Sequence, residues 1–405
     1  MDSITPESYK LASSDQRQAV LVLGMHRGGT SALAGAISAL GAAGPNTPMA
    51  PTSDNPRGYF ESVALASAHD ALLASAGSHW HDWRQIDARW LCSTAAQEFH
   101  QRIKNLLLNE YGDQPLIFIK DPRISRFVPF MSSILAELKI RPVAILAIRS
   151  PLEVAYSLKR RDSFLLPKSI LLWLRHMLDA EFHSRQIRRC FVPYEAFLQD
   201  WQFYLDRIDK KIGVVWPNRS DSTDVKIGEF LTPDLRHERV SLDQIKDHPD
   251  VFSLAVETYN ALIKIAAEGE SQEILDQLDS IRNKFDEGCQ IFGAVVTNEE
   301  TTTFNGLIAE RSTLVAAHNR LVSEHRTLGR DHESLIAERD AVATDRNNLI
   351  AERDALVRDH IRLWEERDTI AAAYDSLGTE HDAMLASTSW LVTAPLRYLR
   401  RLLVR

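Results

Sequence analysis

The chain has 405 residues, of which 44% are apolar and 25% charged, and it carries a formal net charge of −8. That balance excludes a mostly disordered or collagen-like chain; no apolar run reaches the ~18 residues of a membrane-spanning helix, and the acidic surplus argues against a general nucleic-acid binder. Three scattered cysteines, Cys92, Cys190 and Cys289, form no CxxC pair, so a reducing, cytoplasmic setting is expected rather than a disulfide framework or a zinc knuckle.

Residues 1–17 open with MDSITPESYK and read as a flexible N-terminus without the basic-then-apolar layout of a secretion signal. A globular domain is expected over 18–298. In it, Ala19–Leu23 predicts a buried strand ending at Gly24, and Thr30–Leu40 an amphipathic helix. Leu116–Ile119, Pro142–Ile148 and Arg189–Val192 are further strand candidates. Helical patterns follow them at Ile124–Leu138, at Leu152–Arg161 and from Glu195. This alternation predicts an α/β fold, a P-loop-type parallel sheet flanked by helices. Ligands of such sheets bind at the C-terminal ends of the strands.

The first strand runs into Gly24-Met25-His26-Arg27-Gly28-Gly29-Thr30-Ser31. Gly24, Gly29 and Ser31 fit the phosphate-loop pattern GxxxxGK[ST], with Thr30 in the place of the lysine. The glycines let successive backbone N–H groups face one anion, and the following helix adds the positive end of its dipole. Arg27 offers a planar cation in place of the lysine, suited to phosphate or sulfate oxygens. The absent lysine and the lack of an obvious Walker-B acid count against Mg-nucleotide hydrolysis. The bland alternative is a plain glycine turn.

The loop GMHRGGTSALAG resembles the 5′-phosphosulfate loop of bacterial sulfotransferases of the P-loop superfamily. A second signature of that family is an arginine that ends a strand, with a serine eight positions later. Arg149 and Ser157 have that spacing. Asn55-Pro56-Arg57-Gly58-Tyr59-Phe60-Glu61 resembles an NPxGYFE segment, Lys120-Asp121-Pro122-Arg123 a KDP segment, and Val192-Pro193-Tyr194-Glu195 a V-x-YE segment taken as structural. The resemblance covers residues 18–210, and more weakly to about 290. It departs at Gly28, where a serine is more usual, and lacks the GxxGxxK segment of cytosolic small-molecule sulfotransferases. Contacts at the adenine and 3′-phosphate end are thereby left unassigned.

The resemblance implies 3′-phosphoadenosine 5′-phosphosulfate as donor and no metal. Its candidate donor-binding residues are Gly24, His26, Arg27, Gly28, Gly29, Thr30 and Ser31 with Arg149 and Ser157, the last two on the 3′-phosphate. Glu61 is the candidate base for the acceptor hydroxyl, and Arg27 and Lys120 stabilise the bridging and leaving oxygens. For Glu61 the bland alternative is a helix-capping charge, and for Lys120 a surface ion pair. Trp80, Trp83 and Trp90 suit either packing or stacking on sugars. His79 and His81 have HxH spacing without a third spaced ligand, a loop feature more often than a metal site. Lys159, Arg160, Arg161 and Arg175 either complete an anionic pocket or face solvent.

Residues 299–384 read as a coiled coil. One apolar residue recurs every seven from Leu307 through Leu335 and Leu356 to Met384. The second core line is polar, with Arg311, His318, His325, His332, Arg339, Arg346, Arg353, His360 and Arg367. Self-association of modest stability is expected, and a single solvated helix is the alternative. Residues 385–405 hold four arginines and no acid, a basic amphipathic tail suited to an anionic membrane surface. Ser389-Trp390-Leu391-Val392-Thr393-Ala394-Pro395-Leu396-Arg397 resembles a tail appended to many bacterial enzymes of cell-surface polysaccharide synthesis. The expected acceptor is therefore a cell-surface glycan or lipid-linked saccharide at the cytoplasmic membrane face. The rivals are a P-loop nucleotide kinase or NTPase, and a non-catalytic coiled-coil scaffold.

Overall fold

The computed structural model describes residues 16–52, 55–232 and 239–403, apart from the side chains of 294–309 and of 402 and 403. Residues 1–15 of the expected flexible N-terminus, the side chain of the ladder residue Leu307 and the last two tail residues lie outside what is described. The chain divides into two compact units, residues 1–300 and 301–405.

The first unit is built on four parallel strands: β1 (Gln18–Leu23), β2 (Leu116–Lys120), β3 (Arg141–Ile148) and β4 (Arg189–Pro193), in the order β2-β1-β3-β4. Register aligns Val22 with Lys120 on one side and Leu23 with Leu146 on the other. Side chains alternate between the two faces of a strand. Leu21, Ile119 and Leu146 enter one core, and Val22, Phe118 and Ile145 the other. Both faces are covered, as a parallel sheet of nearly continuous apolar strands requires.

Helices α1 (Thr30–Ala39), α2 (Val63–Ser75), α3 (Thr94–Tyr111), α4 (Val128–Glu137), α5 (Pro151–Asp162) and α6 (Leu166–His183) accompany the first three strands. After β4 come α7 (Tyr194–Gln199), α8 (Trp201–Ile212), α9 (Asp221–Phe230), α10 (Leu242–Asp247) and α11 (Ser253–Glu268). Two expected helices are broken. The segment 124–138 is a short 3-10 turn, Pro122–Arg126, followed by α4, because Phe127 leaves helical geometry at φ −144° and Pro129 starts the next helix. The helix after β4 breaks at Asp200, whose side chain caps α8 through the Phe203 amide.

Helix α12 spans Gln272–Ala386, so it starts well before the leucine ladder. Its opening turns belong to the first unit. Ile274, Leu278, Ile281, Phe285 and Cys289 recur at helical spacing and are buried. Arg175, a pocket candidate by sequence, is fully buried in this core. It pairs there with Asp179 and Asp286 at 3.2 and 2.6 Å.

In the second unit the ladder residues from Leu314 to Met384 are exposed, between 50% and 70% each. Three arginines of the polar line turn aside to a neighbouring aspartate: Arg339 to Asp340, Arg353 to Asp354 and Arg367 to Asp368. The tail forms α13 (Thr388–Val392), capped by Ser387, and α14 (Ala394–Leu403). Leu391, Val392, Leu396, Tyr398 and Leu399 are exposed there. No helix among the described residues is long and apolar enough to cross a membrane.

Candidate active site

Strand order reverses about β1, since β2 lies on one side of it and β3 on the other. A crevice opens at that switch point, beyond the strand ends. It is a cavity of about 490 Å³. Its lining includes Arg27, Arg57, Lys120, Arg123, Arg149, Arg160 and Arg161 against one carboxylate, Glu61. Such a cavity draws anions.

The loop between β1 and α1 forms its floor. Ser125 holds the start of the loop by accepting from the Gly24 amide at 2.9 Å and donating to the Gly24 carbonyl at 3.1 Å. Gly29 has φ 89°, and a Cβ there would lie 2.2 Å from the Tyr194 ring, so only glycine fits. At Gly28 a Cβ would lie 2.7 Å from the Met25 carbonyl oxygen, which also accepts the Gly28 amide at 2.9 Å. The departure from serine is therefore a matter of backbone shape: this tight turn leaves no room for a side chain.

Arg27 is a non-glycine residue at φ 64°, a conformation that costs on the order of 1–3 kcal/mol unless the surroundings hold it. They do so from two sides. Its Nε donates to Ser157 Oγ at 2.8 Å, and its carbonyl accepts from Arg149 Nη1 at 3.0 Å. Arg149 itself is oriented by Glu153 at 2.9 Å and lies over the Tyr194 ring at 5.0 Å. Trp173 Nε1 donates to the Arg149 carbonyl, which fixes the end of β3. Thr30 and Ser31 follow at the N-terminus of α1, and all of these residues but Trp173 and Glu153 line the cavity.

The remaining wall carries the carboxylate. Lys120 Nζ donates to Glu61 Oε1, and Arg123 stands 3.5 Å from Glu61 Oε2. Both partners of the first pair are 4% exposed. Glu61 does not cap α2; Ser62 does, by accepting from the Leu65 amide. Arg123 also binds Asp70 at 2.6 Å and Asp121 at 3.0 Å, and Asp121 holds His69 Nδ1 at 2.8 Å. Burial would push the Asp121 carboxyl up, but the Arg123 charge and then the His69 bond hold it well below the carboxylate range. Burial first, then the charges of Arg123 and Arg161, drive His26 well below its ordinary value, so it lines the cavity as a neutral ring.

The structure therefore brings every candidate site residue into or against one cavity. Gly24 and Gly28 shape the loop without lining it. Of the tryptophans, Trp80 lines the cavity, 4.6 Å from the His26 ring, whereas Trp83 and Trp90 are buried in the core. Arg160 and Arg161 line the cavity, and His79 and His81 stack on one another at 3.7 Å. Sequence reasoning did not assign site roles to Arg123, Arg57 or Tyr194. Arg123 and Arg57 lie inside motifs already singled out, and Tyr194 in a segment read as structural.

Sheet order, glycine loop and cation-lined crevice define a P-loop-type α/β protein. No protein-family model and no curated protein matches the chain. Solved structures that resemble it include two sulfotransferase domains. The sulfotransferase domain from the Synechococcus PCC 7002 olefin synthase gives a TM-score of 0.34 at 15% identity, covering 63% of this chain and 98% of that one. The sulfotransferase domain from the curacin biosynthetic pathway gives 0.35 at 13%, covering 61% and 98%.

Proposed function

We propose that the chain is a sulfotransferase that moves a sulfuryl group from 3′-phosphoadenosine 5′-phosphosulfate to a hydroxyl of a cell-surface glycan or lipid-linked saccharide. The observation that carries this reading is the closure of two anion motifs on one cavity: Arg27 bonds Ser157, and Arg149 bonds the Arg27 carbonyl. A nucleotide with phosphates at the 3′ and 5′ positions of its ribose asks for cations at two places, and the presence of Arg27 and Arg149 in the lining supports that reading. The loop amides, Thr30 and Ser31 serve the 5′-phosphate, and Arg149 and Ser157 the 3′-phosphate.

Transfer forms a bond from the acceptor oxygen to sulfur and breaks the bridging sulfur–oxygen bond, with the electron pair leaving on phosphate. By analogy with phosphoryl transfer, such a reaction asks the protein mainly for position and charge. Glu61 takes the acceptor proton. Lys120, which donates to Glu61, and Arg27 offset charge on the bridging and leaving oxygens. The exposed ladder of the second unit and its basic tail support self-association and peripheral membrane contact as partners of this activity.

Calorimetric titration with adenosine 3′,5′-bisphosphate against ATP tests the reading. Tighter binding of the bisphosphate is expected, and preferential ATP binding would defeat it in favour of a kinase or NTPase.

A further inference from the structure

Arg161 lies on α5, one turn beyond Ser157, and lines the cavity without a share in the donor contacts proposed above. Its guanidinium stands over the Trp80 ring, 5.5 Å from the ring centre. One oxygen of Asp162 lies 2.8 Å from Nε and 2.8 Å from Nη2. That leaves the outer edge of the fork to a ligand, and 22% of the side chain's surface is open to one. A guanidinium stays charged at any working pH, and its planar fork matches a carboxylate.

Two neighbours say what carries that carboxylate. Trp80 lines the same cavity and is half-buried, with the His26 ring 4.6 Å away and the Phe164 ring 5.7 Å away. His26 also lines the cavity, and its buried Nε2 has no hydrogen-bond partner among the described residues. A neutral imidazole donates at one nitrogen and accepts at the other, which suits a hydroxyl. An indole offers an apolar surface to the C–H groups of a sugar ring. Together these two fit a saccharide, and the guanidinium beside them fits a saccharide that bears an acid. His26 also joins the patch to the wall that holds the candidate base. The charges of Arg123 and Arg161 both act on its ring, and Arg123 stands 3.5 Å from Glu61.

We propose that Trp80, His26 and Arg161 hold the acceptor, and that Arg161 selects an acidic saccharide, one with a carboxylate on or next to the ring that receives the sulfuryl group. This rests on the sulfotransferase reading above and narrows its acceptor class.

The test follows transfer from radiolabelled donor by the full chain to matched oligosaccharide pairs. Each pair is a neutral glucan, galactan or mannan and the same chain with its primary hydroxyls oxidised to carboxylates. The acidic member of at least one pair should be favoured tenfold or more in kcat/KM. Arg161→Gln should cost that substrate roughly tenfold to a hundredfold, the loss of a charged hydrogen bond, mainly through KM. Its affinity for adenosine 3′,5′-bisphosphate should match that of the wild type. Arg161→Lys keeps the charge and should retain part of the preference, which separates lost recognition from misfolding. Equal or better transfer to the neutral members overturns the inference, as does transfer to no acidic member by a chain that binds the bisphosphate. Weakened bisphosphate binding in Arg161→Gln also overturns it, by moving Arg161 to the donor. A wild-type chain that does not bind the bisphosphate, or prefers ATP, defeats the donor reading itself, and that failure appears before any acceptor is added.

Discussion

Arg27 Nε lies 2.8 Å from Ser157 Oγ, although 130 residues separate them. One residue ends the turn that follows β1 and the other stands two turns into α5. The bond holds a left-handed arginine in place and ties the loop after β1 to α5. Ser157→Ala removes the acceptor and leaves the Arg149–Glu153 pair untouched. Affinity for adenosine 3′,5′-bisphosphate should fall about tenfold, as for one charged hydrogen bond. Titration calorimetry checks it, and unchanged affinity would remove the bond from the donor site.

Glu61→Gln should abolish turnover while bisphosphate binding persists, because the base is lost and the phosphate cradle is not. Near-normal turnover would sink the assignment. Stability offers a second readout. Lys120→Met leaves the buried Glu61 facing only Arg123 at 3.5 Å and should cost about 3–5 kcal/mol, as when one partner of a buried pair is removed. The double variant Glu61→Gln/Lys120→Met should cost less than Lys120→Met alone. Denaturant unfolding measures both, and simple additivity would contradict the coupling.

Gly28→Ser brings the loop closer to the family pattern, yet it should weaken the protein. The new Cβ would meet the Met25 carbonyl oxygen at 2.7 Å, and the turn must open to admit it. A cost of roughly 1–3 kcal/mol is expected, as for overpacking a tight site. Thermal unfolding and bisphosphate affinity should both decline. A gain in affinity would show that the turn yields freely and that the missing hydroxyl matters more.

His26 and His176 are both buried and both pushed down, His176 to about 3, chiefly by burial and then by the charges of nearby arginines. The unfolded chain takes up these protons near pH 6.5, while the folded chain refuses them until far lower pH. Folding stability should therefore fall as pH drops below about 6.5. At pH 4.5 His176 alone accounts for on the order of 2–3 kcal/mol. His176→Gln should flatten the profile between pH 4.5 and 6.5. An unchanged slope in denaturant titrations would place the sensitivity elsewhere.

The exposed ladder yields a hydrodynamic prediction. The full chain should sediment as an oligomer, and glutamate at Leu335, Leu349 and Leu356 together should make it monomeric, since each faces solvent at 63–70% exposure in the single chain. A wild-type monomer at high concentration leaves a lone solvated helix, supported by pairs such as Arg339 with Asp340.

The strands were legible because Ala19–Leu23 and Pro142–Ile148 are short apolar runs that end at glycine or charge. Arg27 was legible from the glycine loop that carries it, and Arg149 and Ser157 from a resemblance whose eight-residue spacing puts one at a strand end and the other on the next helix. The Glu61–Lys120 pair was not, since its partners are 59 residues apart and chain spacing says nothing of which side chains meet. The helix breaks at Phe127 and Asp200 also escaped. Apolar periodicity runs through both, and only the backbone angle at one and the cap at the other reveal the stop. Tyr194 was read as structural with its V-x-YE segment; the structure does bury it, and its ring is also what forbids a side chain at Gly29.

Near Glu61 the cations Lys120 and Arg123 are answered by Glu61, Asp70 and Asp121. Near Ser157 stand four guanidinium groups, those of Arg27, Arg149, Arg160 and Arg161, with Arg149 paired to Glu153 and Arg161 to Asp162. The guanidinium groups of the crevice thus crowd toward its Ser157 side. A ligand whose charge is gathered at one end meets it head first, and the reverse entry sets its anions against Glu61. Direction of docking is written into the walls before any shape is matched.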